Sequence, residues 1–383
     1  MENWQRGGFG LYVHWPFCAA KCPYCDFNSH VVSEVDHACW RDALLRDLSA
    51  WIERTPGRIL GSIFFGGGTP SLMAPETVSA VVMAARKGWL PANDLEVTLE
   101  ANPTSVEAGR FAEFVDAGVN RFSVGLQALN DGDLRRLGRL HTSAEGRRAF
   151  DIAQTLTERV SFDLIYARQD QAVVEWEREL SLALSFAGEH LSLYQLTIED
   201  GTAFGARRAQ GRLHGLPDED RAVDLWTVTQ DLTSAAGLRR YETSNHARPG
   251  REARHNLVYW RGGDWVGIGP GAHGRLTLPD CRFATEALRM PQAWLDASTS
   301  PLATTRQQRL SPTDRAEEYL LMSLRMAEGT DLSHFTALDG YLNERHLSEL
   351  MADGFLSVEG NFLRTTESGA LLLDTILSRL VSD

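Results

Sequence analysis

The feature that most restricts this chain is a regular alternation of β-rich runs and helical stretches through its first half. Strands read as Phe9 to Trp15, Ser62 to Phe65, Leu95 to Leu99, Arg121 to Leu126, Val160 to Ile165 and His190 to Ile198. Helical periodicity fills the intervals at Ala38 to Glu53, Pro75 to Lys87, Val106 to Ala117, Ala144 to Leu156 and Val173 to Phe186. Apolar residues there recur at three- and four-residue spacing, as in Leu44, Leu45 and Leu48. Strand and helix alternating in this way imply βαβ units, hence an α/β fold with a parallel sheet covered by helices. Six such strands in succession suggest a barrel, closed or left open at one side.

In such folds the site forms at the C-terminal ends of the strands. The polar and glycine-rich segments fall there. A cysteine loop follows the first strand, Gly66-Gly67-Gly68-Thr69-Pro70 the second, and Glu100-Ala101-Asn102-Pro103 the third. Further on come a helix from Glu219 to Ala236, the string Tyr241-Glu242-Thr243-Ser244-Asn245-His246, and a Gly- and Trp-rich stretch from His255 to Gly274. Pro291 to Ser311 reads as a linker. Asp314 to Met326, Leu342 to Ala352 and Ser368 to Leu380 read as helices, with a hairpin from Phe355 to Arg364 turning at Gly360-Asn361. Helices with a two-stranded wing make a small winged-helix-like α+β domain. The expected division is a barrel core at 1–236, a barrel extension at 237–305 and the winged-helix-like domain at 306–383.

Charge narrows the class of partner. The formal net charge is −13, where a nucleic-acid surface would carry a basic excess, and the last domain has no Lys/Arg-rich recognition helix. Capping one end of the barrel or docking a partner suits that domain better than DNA. No apolar run approaches the ~20 residues a membrane span needs. The first residues, MENWQRGGFGLYVHW, lack the basic-then-apolar pattern of a secretory signal. The expectation is a cytoplasmic protein without a transmembrane segment, with peripheral contact at the inner membrane left open.

Three of the 5 cysteines, Cys18, Cys22 and Cys25, stand in the spacing C-x3-C-x2-C. Such crowding without an export signal points to metal or redox chemistry before disulfides. Cys39 and Cys281 stand apart and read as small buried apolar residues. An iron–sulfur cubane normally takes four thiolates. Three closely spaced ones leave an iron open to an external chelator bearing an amine and a carboxylate, which S-adenosylmethionine does. The alternative is a structural zinc, which wants four closed ligands and would need His14 or His30 to complete it.

From about Tyr12 to the C-terminus the chain resembles the radical S-adenosylmethionine superfamily, and within it the oxygen-independent coproporphyrinogen III dehydrogenase family. The resemblance implies a partial (β/α)6 barrel, a 4Fe-4S cluster on Cys18, Cys22 and Cys25, and bound S-adenosylmethionine. It implies that Gly67, Gly68 and Thr69 meet the amino end of that cofactor. Tyr12, Tyr24, Glu100, Gln127, Arg139 and Asp163 match further cofactor-binding positions. Taken singly, Gln127 and Arg139 read better as surface polar residues, and Glu100 and Asp163 as capped or paired acids; taken in order on successive strand ends, they read as cofactor-binding.

Two departures stand out. The dehydrogenases carry a further cysteine two residues after the third ligand, where this chain has Phe27. Their Gly-Leu-Pro-Gly-like segment after the fifth strand is replaced by Ala167-Arg168-Gln169-Asp170-Gln171. The first departure is shared with the HemW-type heme chaperones, a sister group. His255-Asn256-Leu257-Val258-Tyr259-Trp260 is similar to the H-N-x-x-Y-W string associated with heme binding in that group. Imidazole and phenolate are both axial ligands of heme iron, and His255 and Tyr259 would share one helix face. An aromatic cluster packing one end of the barrel is the competing reading. In Gly267-Ile268-Gly269-Pro270-Gly271-Ala272-His273, His273 reads either as a second heme ligand or as a satisfied polar residue.

The resemblance thus implies a heme carrier that delivers heme to acceptor hemoproteins, respiratory and membrane-associated ones among them. The alternative is an enzyme that decarboxylates coproporphyrinogen III to protoporphyrinogen IX through a 5′-deoxyadenosyl radical. No catalytic side chain is assigned in either reading.

Overall fold

The computed structural model describes residues 3–279, 281–300 and 302–382. Six parallel strands follow one another in chain order: β1 (Phe9–Trp15), β2 (Ile59–Gly67), β3 (Leu90–Ala101), β4 (Arg121–Gln127), β5 (Arg159–Tyr166) and β6 (His190–Gln195). Each coincides with an expected strand, extended or trimmed by a few residues. β1 and β4 are buried almost throughout, because helices cover one face of a parallel sheet and the barrel interior the other.

Among the described residues the sheet does not close. β7 (Arg239–Arg240) and β8 (Asn245–Ala247) run antiparallel beyond β6. On the far side of β1 lie β9 (Asp264–Ile268), parallel to it, then β10 (His273–Leu278), β11 (Cys281–Ala287) and β12 (Thr305–Arg309), all antiparallel. The order across the twelve-stranded sheet is β12-β11-β10-β9-β1-β2-β3-β4-β5-β6-β8-β7. The C-terminal ends of all six parallel strands or the loops following them border one cavity, which requires the sheet to curve. The architecture is a partial (β/α)6 barrel.

The helices begin where capping residues permit. Asp36 accepts from the Cys39 amide at 3.0 Å to start helix His37–Arg54, and Thr142 and Glu145 form a capping box for Ser143–Leu156. The helix expected over Val106 to Ala117 is instead two pieces, Ser105–Ala108 and Phe111–Asp116. Gly109 sits at the break, where helix propensity is poorest.

The linker expected over Pro291 to Ser311 is overturned. Pro291 opens a helix, Pro291–Ala297, at the first-turn position proline favours. Trp294 on that helix is fully buried and stacks on Trp40 at 5.6 Å. Thr305–Arg309 then forms the outer strand β12. Its polar, charged sequence is what an edge strand uses to discourage further pairing, and that polarity is what made it look like a linker.

The last segment builds its own apolar core around Leu320, Phe335, Leu350, Leu363 and Ile376. The hairpin Leu356–Glu359 and Phe362–Thr365 is completed by Thr330–Asp331, making a three-stranded wing. Arg261 joins this part to the barrel through two 2.8 Å hydrogen bonds to Glu328.

Candidate functional site

The cysteine loop is fixed by short backbone contacts. Phe17–Cys18 pairs with His30–Val31, the Cys25 amide donates to the Cys22 carbonyl at 3.2 Å, and the Phe204 amide donates to Pro23 at 2.8 Å. The glycine turn after β2 lies directly against this loop. The Gly68 amide donates to Trp15 at 2.7 Å and the Thr69 amide to Phe17 at 2.8 Å. A Cβ on Gly68 would stand 2.7 Å from the Phe17 carbonyl oxygen, so that approach requires glycine.

Cys18, Cys22 and Cys25 are all half-buried and face the same cavity, of about 340 Å³. Thr69 donates its hydroxyl to the Cys18 sulfur at 3.4 Å, and the Arg139 guanidinium approaches the Cys22 sulfur at 3.7 Å. Burial raises the thiols of Cys18 and Cys25. Among the described residues no three His, Cys, Asp or Glu side chains converge on a single metal ion. A cubane makes no such demand, since each thiolate takes its own iron.

Polar groups from the strand ends line the same cavity. Glu100 and Asp163 both line the cavity. Burial, and then the charge of Asp163, push Glu100 up to about 8. Burial also raises Asp163, against hydrogen bonds from Ser192 and from Ser123, the latter 3.2 Å away. Neither carboxylate forms an ion pair among the described residues, so a cationic or polyhydroxylated ligand would satisfy both. Arg139 is held by Asn102 Oδ1 at 2.5 Å and the Gly125 carbonyl at 3.0 Å. Gln127 adopts φ 67 at a bulge where the β4–β5 register shifts. A non-glycine residue there costs about 1–3 kcal/mol, a strain that tends to cluster at ligand sites.

The cavity therefore brings together Cys18, Cys22, Tyr24, Cys25, Gly67, Gly68, Thr69, Glu100, Gln127, Arg139 and Asp163. Tyr12 lies behind it, its hydroxyl 2.9 Å from His14 Nδ1, and does not reach the lining. His255 and Tyr259 also lie outside it. They do share a face of a short helix, Arg254–Trp260. His255 is buried with both ring nitrogens engaged, Nδ1 with the Ser62 hydroxyl at 2.8 Å and Nε2 with the Tyr259 hydroxyl at 2.7 Å. Burial pulls this imidazole down to about 3. In this arrangement neither nitrogen is free for iron, which is the geometry of the packed aromatic cluster.

The altered turn after β5 keeps a glycine-like backbone without glycine. Ala167 has φ 58 and Asp170 φ 59, three residues apart as the two glycines of Gly-Leu-Pro-Gly are. Arg168 is buried between them and holds the turn by bonding Ile165 O at 2.6 Å, Asp133 at 2.9 Å and Glu179. Sequence reasoning missed Asn102 as a site residue, although it links Thr69, 3.0 Å away, to Arg139. The strand expected over His190 to Ile198 was given no site role, whereas Tyr194 within it and Leu196, Thr197 and Glu199 beyond its observed end line the cavity. β6 ends at Gln195, and the chain beyond it turns across the barrel mouth.

The donor set fits a 4Fe-4S cluster with S-adenosylmethionine beside it: three thiols with a glycine turn against them, and two half-buried carboxylates with the amide side chains of Asn102 and Gln127 lining the same cavity. Comparison with known proteins agrees. Residues 12–168 match the Radical SAM superfamily and residues 310–372 the HemN C-terminal domain. The chain is 38% identical over 379 residues to the heme chaperone HemW of Escherichia coli K12, covering 97% of this chain and 98% of that one. This chain belongs to the HemW family of radical SAM proteins. A mitochondrial radical S-adenosyl methionine domain-containing protein 1 of Mus musculus is 40% identical, covering 97% of this chain and 87% of its own. The solved structure of coproporphyrinogen III oxidase (HemN) from Escherichia coli superposes with a TM-score of 0.80 at 21% identity, covering 97% of this chain and 89% of that one, and shows the shared fold. Membership of the superfamily implies the cluster and S-adenosylmethionine. No described helix is long and apolar enough to cross a membrane.

Proposed function

We propose that this chain is a heme carrier that holds a 4Fe-4S cluster on Cys18, Cys22 and Cys25 and S-adenosylmethionine in the adjoining cavity, binds heme, and passes it to acceptor hemoproteins. The observation that carries the cofactor assignment is the single cavity lined by three half-buried thiols, by Arg139 beside Cys22, and by the strand-borne carboxylates Glu100 and Asp163. When bound and reduced, the cluster supplies one electron at a potential no side chain reaches. The residues around it orient and shield. Thr69 and Arg139 offer N–H and O–H groups to thiolates, which stabilises the charged form. Glu100 and Asp163 receive the ammonium, sulfonium or ribose hydroxyls of the nucleoside ligand. Gly68 lets the backbone come close enough to place Thr69.

Support for a carrier over a coproporphyrinogen dehydrogenase comes from Phe27. It stands at the cavity lining where the dehydrogenases have their further cysteine, and it is 58% exposed. The full-length similarity to proteins named heme chaperone points the same way. The test is incubation of anaerobically reconstituted protein with heme and, separately, with coproporphyrinogen III and a reductant. Stable heme uptake without porphyrinogen turnover is expected. Protoporphyrinogen formation would overturn the carrier reading.

A further inference from the structure

Three successive loops meet beside the cysteine loop, and one side chain joins them. Thr69 follows β2, Asn102 follows β3, and Arg139 lies beyond the short helix Asp131–Arg136 that comes after β4. Asn102 Nδ2 donates to Thr69 Oγ1 at 3.0 Å, and Asn102 Oδ1 accepts from Arg139 Nη2 at 2.5 Å. Thr69 and Arg139 in turn approach different sulfurs, Cys18 at 3.4 Å and Cys22 at 3.7 Å.

These two contacts fix which way the amide faces. Turned over, it would set an NH2 group against a guanidinium, which has no acceptor to offer. Its oxygen would then face Thr69 and draw the hydroxyl proton to itself. In the observed orientation Thr69 Oγ1 already accepts from the amide, so its single proton is left for Cys18. Arg139 is steadied on the same side, since Nη2 is shared between Asn102 and the Gly125 carbonyl while Nη1 turns to Cys22.

Asn102 is itself anchored from behind. Its backbone amide donates to Ser71 Oγ at 3.3 Å, and Ser71 donates to the buried carboxylate of Glu107. Thr104 donates to the other oxygen of Glu107 at 3.2 Å. The bridge therefore stands on a network with partners at each end, the arrangement that holds a side chain to one rotamer.

We propose that Asn102 is a positioning residue for the cluster thiolates: it aims the Thr69 hydroxyl at Cys18 and an Arg139 N–H at Cys22, and so raises the reduction potential of a cluster held on them. Donors turned toward thiolate sulfur offset negative charge, which favours the state holding one more electron. This rests on the cluster reading and adds to it a residue that touches neither sulfur.

The test is potentiometric titration of full-length, anaerobically reconstituted protein, with the reduced cluster followed by electron paramagnetic resonance. In Asn102→Ala the ratio of reduced to oxidised cluster at a fixed poise is expected to fall about ten-fold, ~59 mV for one electron. Asn102→Asp keeps the volume but puts a carboxylate where the amide was. It should draw both the Thr69 proton and the guanidinium away from sulfur and lower the potential further. Thr69→Val should lower it too, and the double variant Asn102→Ala/Thr69→Val should shift by less than the two single shifts added, because no hydroxyl remains to be aimed. Circular dichroism and cluster absorption establish that each variant is folded and loaded. A wild-type potential in either Asn102 variant, or shifts that simply add in the double variant, overturns the role of Asn102 while leaving the cluster reading intact. Wild-type protein that assembles no cubane overturns the cluster reading itself.

Discussion

Replacing Ala167 by glycine isolates the strain in the turn after β5. Ala167 is 1% exposed and sits at φ 58. A buried alanine-to-glycine change normally loses a methyl worth ~0.8 kcal/mol and about 0.4–1 kcal/mol through the freer unfolded chain. That is a loss of roughly 1.2–1.8 kcal/mol. At Ala167 the left-handed backbone costs an L-residue about 1–2 kcal/mol, and glycine removes that penalty. The terms nearly cancel, so Ala167→Gly should be neutral within about 0.5 kcal/mol. Ala128 is the control: it is also 1% exposed, in a non-helical segment, and is absent from the positive-φ residues. Ala128→Gly should lose the full amount, lowering the barrel's melting transition by about 3–6 °C, against less than about 2 °C for Ala167→Gly. Urea or thermal unfolding followed by circular dichroism measures both. Equal losses at the two positions would refute the claim that this turn keeps a glycine-like geometry under strain.

Arg168→Leu would restore the leucine of the related Gly-Leu-Pro-Gly segment yet should destabilise by about 3–5 kcal/mol, because Glu179 and Asp133 stay behind without their cation; near-neutral unfolding curves would contradict this. Glu100 gives a pH signature in protein free of S-adenosylmethionine. Its folded pKa of about 8 lies above the unfolded carboxyl value, so the folded state holds the extra proton, and stability should fall as pH rises from about 5 to about 8. Glu100→Gln should flatten that slope when urea midpoints are compared across the range, and a slope that persists would assign it elsewhere. His255→Ala should cost on the order of 3 kcal/mol by leaving the buried Ser62 hydroxyl and the half-buried Tyr259 hydroxyl without a partner. Wild-type stability in that variant would mean the hydrogen-bonded arrangement contributes nothing.

The six parallel strands were legible because each is a buried apolar run bounded by turn chemistry, a local pattern that tertiary contacts reinforce. The cavity wall was legible for a related reason: strand ends in such a sheet must converge, so Glu100, Gln127 and Asp163 could be placed together without coordinates. What escaped depended on distant partners. Thr305–Arg309 becomes a strand only because β11 offers it an edge, and nothing in its polar string says so. Val106 to Ala117 looked continuous because an apolar stripe hides the effect of one glycine. His255 and Tyr259 lie on one helix face as the spacing implied, but the direction of that face, toward Ser62 and Phe64, is set by how the helix packs on β2.

The proposed cluster can be examined most directly by electron paramagnetic resonance of the dithionite-reduced, anaerobically reconstituted protein, recorded before and after S-adenosylmethionine is added. A reduced cubane signal whose g values move on addition is predicted, since three thiolates leave one iron for the amine and carboxylate of that ligand. A protein that assembles no cubane, or one whose signal is indifferent to the ligand or survives conversion of Cys18, Cys22 and Cys25 to alanine, would contradict it.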